Sequence, residues 1–254
     1  MRLMTLNIWN YNKPWKERRR IISELIMHAD PDVVCLQETR HDFRFEGGLG
    51  QGEQIAALTE RHATSRAAQV YWPFPRLDEG LTTLTRVSPE RVMIEELSQV
   101  PDERADENRR VCLGVTVAEG GSEIDVFNTH FSLGERARLL NACETFSFIS
   151  TQAARPALLF GDLNCRPDTD PIRFLRGEIE VDGATGDLVD CWTEANPADA
   201  GFTFASFNPY HRIDYALSRN LAGRVRRAEI VGQEASAGIY ASDHLGILIE
   251  VGLS

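Results

Sequence analysis

What this 254-residue chain lacks narrows its class before any motif is read. No run approaches the eighteen or more consecutive apolar residues that a membrane-spanning helix requires, and the opening stretch MRLMTLNIWNYNKPW has no sustained apolar core followed by a small-residue cleavage site. The expectation is a soluble, cytoplasmic protein with no membrane span. Cysteine is sparse and unpatterned: Cys35, Cys112, Cys143, Cys165 and Cys191 show no CxxC spacing, and an odd number of thiols cannot pair completely. Reduced structural thiols are expected, with Cys165 placed by the sequence where it could line a cleft. Basic charge is in deficit, 27 Lys and Arg against 38 Asp and Glu, and the resulting net charge of -11 opposes long-range attraction to nucleic acid or anionic membrane. The densest basic spots, ENRR at 107–110 and RVRR at 224–227, read as a solvated loop and strand edge. No tandem repeat, low-complexity tract or Pro/Gly-rich linker divides the chain, so residues 1–254 are expected to form a single domain.

What is present is a 43% hydrophobic content, ample for a core, distributed in short segments. MRLMTLNIW, PDVVCLQE, EGLTTLTR, VMIEELSQV, RRVCLGVTVA, EIDVFNTHF, PALLF, RIDYAL, RVRRAEIV and LGILIEV read as strands, being rich in Val, Ile, Thr and Leu. Helices are expected over 14–29, where Ile21, Ile22, Leu25 and Ile26 recur at helical spacing, over 51–63, from about Gly134 to Ala154, and near 171–176. Many consecutive strands with few helices imply an α+β class, with mixed or antiparallel sheets packed face to face and helices outside, rather than a regular βαβ barrel.

The polar residues sit where these strands end. Asn7 follows LMTL, Glu38 follows VVCLQ, Asn128 and His130 close DVFNTH, Asp162 and Asn164 close LLFGDLN, Asp214 opens RIDYAL, and Asp243 and His244 precede LGILIEV. In LLFGDLN the period of two sends Asp162 and Asn164 to one face if the strand continues, whereas Gly, Asp and Asn together equally describe a turn. Buried polar groups cost several kcal/mol unless paired, so a chain that repeats them beside apolar runs is expected to gather them into one cluster. Carboxylate and amide oxygens are hard ligands suited to Mg²⁺ or Mn²⁺ rather than to structural zinc.

TLN, LQE, NTH, GDLN, RIDY and SDH, in this order from residue 5 to residue 244, resemble the motif set of the endonuclease/exonuclease/phosphatase superfamily, the deoxyribonuclease I-like fold. Each tripeptide alone is weak; six in order are strong. The resemblance implies a four-layer αββα sandwich, two packed mixed or antiparallel β-sheets flanked by helices, and Mg²⁺-dependent phosphoester hydrolysis, with Mn²⁺ able to substitute. It implies Glu38 as principal metal ligand with Asn7 beside it and Asp243 able to bind metal, Asp162 orienting or deprotonating the attacking water, and Asn164 holding a phosphate oxygen. His244, oriented by Asp214, is implied as general base or phosphate-binding cation, so the motifs leave Asp162 and His244 as two candidates for the proton. His130 is implied to stabilise the transition state or assist the leaving group, as in the digestive nuclease and sphingomyelinase branches, and Glu79 stands where some members pair a carboxylate with this histidine. Leu81 occupies a position that is Asn in many members. Arg166 in GDLNCRPD resembles a phosphate contact of the tyrosyl-DNA phosphodiesterase branch.

His28, His41, His62 and His211 read as surface or supporting residues, with His211 nearest the candidate site. GGLGQG at 47–52 lacks the Lys and Ser/Thr of a P-loop and reads as a loop after Glu38. The aromatic segments YWPFPR at 71–76 and FTFASFNPYH at 202–211 suit stacking on a base, a lipid or a phenol as well as loop anchoring. The expected substrate is a small or terminal phosphoester, with an endo- or exonuclease, including tyrosyl-DNA end processing, as the alternative and a non-catalytic binding protein of the same fold less favoured. No obligate protein partner is evident.

Overall fold

The computed structural model describes residues 1–44, 46–71, 77–103, 105, 107–119, 121–152 and 155–253. Most of the YWPFPR segment and the expected end of the third helix at Ala154 therefore lie outside the described residues. In chain order the elements are β1 (Arg2–Asn7), α1 (Trp15–Ala29), β2 (Val33–Asp42), α2 (Gln51–Thr59), β3 (His62–Val70), β4 (Leu77–Thr85), β5 (Arg91–Leu97), β6 (Arg110–Glu119), β7 (Ser122–His130), α3 (Glu135–Gln152) and β8 (Ala157–Asp162). They continue with α4 (Asp170–Leu175), β9 (Glu180–Val181), β10 (Ala184–Thr185), β11 (Val189–Asp190), α5 (Cys191–Ala195), β12 (Asp214–Arg219), β13 (Val225–Val231) and β14 (Gly246–Val251).

Two six-stranded sheets carry the fold, in the orders β13-β14-β1-β2-β4-β3 and β11-β12-β8-β7-β6-β5. Each sheet contains one parallel pair, β1 with β2 and β7 with β8, and all its other pairings are antiparallel. A parallel pair needs a crossover connection, and each has one: α1 between β1 and β2, α3 between β7 and β8.

Strand alternation sorts the apolar residues into layers. Leu3, Val33, Cys35, Ile247 and Ile249 of the first sheet meet Val115, Val126, Leu158, Phe160 and Ala216 of the second in a core between the sheets. Their neighbours Met4, Leu6, Val34, Leu36 and Leu248 face the other way, onto Ile22 and Ile26 of α1 and Ile55 of α2. On the second sheet Phe127, Leu159 and Leu217 face Ile149 of α3 and Ile172 and Phe174 of α4. The result is the four-layer αββα sandwich that the motif resemblance implies.

Two segments depart from the sequence expectation. The helix expected over 51–63 stops at Thr59 with Glu60 in a left-handed conformation (φ 53°), and residues 62–70 form β3 instead. HATSRAAQV has weak strand propensity and lies at a sheet edge, so its pairing with β4, not its composition, makes it a strand. The five-residue α5 is started by Asp190, whose side chain accepts from the Trp192 and Thr193 amides. Cys165 is buried in the outer core of the second sheet. All five cysteines are free, and burial raises the Cys165 thiol to about 12.

Candidate active site

The alternation that fills the core between the sheets also aims the polar residues. Leu3, Thr5 and Asn7 form one face of β1; Val126, Asn128 and His130 one face of β7; Leu158, Phe160 and Asp162 one face of β8. The inward stripe turns polar at one end, at the C-terminal ends of both parallel pairs. Register completes the arrangement, because Asp162 lies opposite His130 on one side and opposite Asp214 on the other. Asn128 stays deeper, where its amide donates to the Leu36 and Thr82 carbonyls at 3.2 Å and its oxygen accepts from Gln37 at 2.7 Å, tying one sheet to the other.

Asp162 is the hub. It accepts from Asn7 Nδ2 at 3.0 Å and from the Asn164 amide at 3.0 Å, with His130 Nε2 at 3.4 Å and His244 Nε2 at 3.7 Å. The chain does not stay extended to Asn164, which adopts a left-handed conformation (φ 50°). The turn reading of LLFGDLN therefore holds and the extended one does not: the strand ends at Asp162, and the turn brings Asn164 Nδ2 to 3.1 Å from His130 Nε2 while it donates to the Phe131 carbonyl at 3.0 Å. Gly161 has its own reason, because a β-carbon there would overlap the Thr129 carbonyl oxygen of the neighbouring parallel strand.

Glu38 needs more than alternation. Regular extension from Val34 and Leu36 would turn it toward the helices, but β2 carries a bulge between Gln37 and Thr39, and Glu38 has a positive φ of 55°. The bulge re-aims the side chain. Its Oε1 accepts from Asn7 Nδ2 at 3.1 Å and its Oε2 from Asn10 Nδ2 at 3.2 Å. The Asn7 oxygen is already engaged, accepting from the Trp9 amide at 2.9 Å.

Two residues escaped the sequence reading. Asn10 is one; Arg18 is the other, and only 1% of it is exposed. Its guanidinium donates to the carbonyls of Asn10 (3.2 Å), Asn12 (2.9 Å), Ala241 (3.2 Å), Trp9 (3.4 Å) and Ile8, joining the loop after β1 to the loop that carries Asp243. Carbonyls turned inward by left-handed residues such as Trp9 and Asn10 need donors, and an arginine supplies five. The signal was available, since Arg18 falls on the Trp15–Ile22–Ile26 stripe of α1, where an aliphatic residue is expected.

The two histidines are buried yet electrostatically opposite. Burial drives His130 well below its ordinary value, helped by the positive charges of Arg110 and His244, so it is neutral. Burial also works to lower His244, but Asp214 and Asp162 outweigh it and hold the imidazole up at about 10. His244 Nδ1 contacts both Asp214 oxygens, at 3.0 and 3.2 Å. Asp162 is pushed up to about 7, chiefly by burial and further by Asp214, against the pull of His244. One imidazole pushed toward its neutral form, one held toward its charged form and a carboxylate raised by burial share one cleft.

Asp162, Asp214 and His244 offer ligand atoms within 4.8 Å of one another. Within this trio, however, His244 Nδ1 and both Asp214 oxygens already engage each other. The better fit for a cation is the pair Glu38 and Asp243, hard oxygen donors whose like charges oppose each other: burial, and then Glu38, raise Asp243 although His244 opposes. Arg18 lies near both, yet its donors are committed to carbonyls. A divalent cation there would meet two hard carboxylate ligands that no direct ion pair engages among the described residues.

Glu79 lines the cleft shared by Glu38, Arg110 and His130, but among the described residues it makes no hydrogen bond to His130. Leu81 is buried beside it. Arg166 stands apart on the turn after β8, its side chain 55% exposed and 3.5 Å from Asp168. The glycine-rich run lines a separate hollow of about 300 Å³ with His41 and Asp78, on the α2 side of the sheet. His211 packs on Tyr210, at 4.4 Å between ring centres.

Residues 4–244 match the sequence profile of the Endonuclease/Exonuclease/phosphatase family. The chain belongs to this family. Similarity to individual proteins is distant. Nocturnin of Xenopus laevis is 23% identical over 93% of the chain, which spans 64% of that curated relative's length. Among solved structures, a conserved protein of unknown function from Enterococcus faecalis V583 superposes with a TM-score of 0.80 at 20% identity over the whole of both chains. A mannosyl-6-phosphatase of Bacteroides thetaiotaomicron superposes at 0.74 with 18% identity over 99% of each chain. Family members include phosphatases and nucleases, and no helix among the described residues is long and apolar enough to cross a membrane.

Proposed function

We propose that this family member is a Mg²⁺-dependent phosphoester hydrolase, with Mn²⁺ able to substitute, acting as one domain on a small or terminal phosphoester. The observation that carries the reading is the convergence of Asn7 and Glu38 from one sheet, and of His244 from the segment leading into that sheet's β14, with His130, Asp162 and Asp214 from the other sheet, in one cluster of hydrogen bonds and ion-pair contacts. Glu38 and Asp243 would hold the cation, with Asn7 positioning Glu38 and Asp162 through its amide. The bound cation supplies neutralisation of phosphate charge and a more acidic water.

The chain's own groups divide the remaining work. Asp162, titrating near neutrality, is the acceptor for the proton of the attacking water. His244, charged and oriented by Asp214, is the phosphate-binding cation and therefore not the base at neutral pH. His130, neutral and fixed by Asn164, steadies the developing charge on the leaving side, and Asn164 holds a phosphate oxygen. Glu79 lies where it tunes this wall through charge, and Arg166 would contact only a substrate extending beyond the cleft. Free thiols accord with a cytoplasmic setting.

The test is a panel of nicked DNA, 5′-tyrosyl DNA, cyclic and linear nucleotides, sphingomyelin, sugar phosphates and inositol phosphates with Mg²⁺, run beside Glu38→Ala and His244→Ala. Activity on a small or terminal ester that both substitutions abolish is expected. Undiminished turnover in both variants would overturn the assignment.

A further inference from the structure

A cavity of about 490 Å³ opens beside the candidate metal ligands, and nothing in the chemistry above uses it. Its walls include Trp9, Phe204, Phe207, Tyr210, Tyr240 and Asp243. Phe207 is 71% exposed and Tyr210 51%. Exposed rings grouped around a hollow mark a surface awaiting an apolar partner.

The cavity is joined to the reactive cluster at both ends of its floor. Asp243 lines it, and Phe204 lies with its ring centre 4.9 Å from that of His244 and 5.9 Å from that of Tyr210. Backbone bonds hold the aromatic segment to the segment carrying His244: the Ser206 amide donates to the Asp243 carbonyl at 2.7 Å, and the Leu245 amide donates to the Thr203 carbonyl at 2.7 Å. A phosphoryl group seated at Asp162, His244 and Asp243 would therefore have its organic substituent directed along these rings.

Resting on the phosphoester-hydrolase reading, we infer that this cavity receives a planar aromatic group of nucleobase size carried by the substrate. The lining discriminates among organic groups. A hexose needs polar partners for several hydroxyls, whereas Ser206 Oγ donates to the Ser242 carbonyl, Ser242 Oγ to Asp243 and Arg18 to its ring of carbonyls, and five aromatic rings make up much of the wall. An acyl chain would be matched by aliphatic walls, yet among the larger side chains Ile239 is the one branched aliphatic against five aromatics. Ring faces suit a ring, and the ammonium of Lys13 at the same cavity complements a nearby phosphate.

The experiment separates this inference from the hydrolase reading by measuring binding as well as turnover. By calorimetry, adenosine 5′-monophosphate should bind at least tenfold more tightly than ribose 5-phosphate, since stacking on one ring changes affinity roughly 5- to 150-fold. Phe207→Ala combined with Tyr210→Ala, both exposed and tolerable to the fold, should shrink that difference below about threefold. In turnover, the p-nitrophenyl ester of thymidine 5′-monophosphate should exceed methyl p-nitrophenyl phosphate in kcat/KM by a factor that collapses in the same variant. Equal affinity for the two monophosphates, tighter binding of mannose 6-phosphate or of a short-chain phosphatidate, or a difference untouched by the double substitution would each overturn the inference. A protein that binds the base-bearing monophosphate selectively but hydrolyses nothing would sink the hydrolase reading and leave the cavity assignment standing.

Discussion

The two crossover units reach the same cleft by different means. In β7–α3–β8, His130 and Asp162 arrive by register alone: a parallel pair, a period of two and one glycine that lets the strands approach. In β1–α1–β2, Asn7 arrives by alternation, but Glu38 requires a bulge, a positive φ and a loop whose carbonyls are held by a buried arginine. The first route is cheap and rigid. The second stores strain where the candidate cation site lies, and such strain persists only where surrounding contacts over-determine it.

Removing one functional group from each unit should have the largest effect. Glu38→Ala and Asp162→Asn should each lower kcat/KM on bis-p-nitrophenyl phosphate by about 10³-fold or more, since each removes charge the transition state needs. A drop below tenfold in either would break the equivalence of the units.

The supports should differ in kind. Arg18→Met orphans several buried carbonyls and should cost about 3 kcal/mol in urea unfolding while weakening divalent-cation activation. Gly161→Ala should cost about 1–3 kcal/mol through overlap with the Thr129 carbonyl, with apparent cation affinity unchanged in the folded fraction. If Gly161→Ala weakened the cation response as much as Arg18→Met, the division between units would fail.

Cation binding itself sharpens the contrast. Mg²⁺ at about a hundred times its dissociation constant should stabilise the native protein by about 2.7 kcal/mol, read as a raised melting temperature. Glu38→Gln should abolish that gain, whereas Asn164→Ala should preserve it.

The smallest effect is a pH dependence belonging to the β7–α3–β8 unit. His130 has its pKa lowered in the native state by burial first and then by Arg110 and His244, so the unfolded chain takes up a proton that the native protein refuses. Stability should therefore fall as pH drops below the unfolded value near 6.5, by at most about 1.4 kcal/mol per pH unit. Chelator-treated His130→Gln should lack this component when unfolding midpoints are compared between pH 7.5 and 5.5.

Much of this was legible in the chain. Asn7, His130, Asp162 and Asp214 sit at the ends of alternating stripes, and both crossover helices were expected, the first from the helical spacing of Ile21, Ile22, Leu25 and Ile26. β3 was missed because edge pairing overrode a weak local preference. Arg18 was passed over because an arginine reads as solvated until its helix face is compared with the core stripe. The proposed pairing of Glu79 with His130 was carried by motif position, and the structure brings them only to a shared wall.

By itself, then, the sequence determined that Asn7, His130 and Asp162 each continue the face of their strand's alternate residues, because a strand's period of two is local and needs no partner to set it. The tertiary structure alone decided where Glu38 points and which histidine carries charge. A bulge exists only against a neighbouring strand, and an imidazole's proton depends on the burial and the carboxylates that distant segments bring to it.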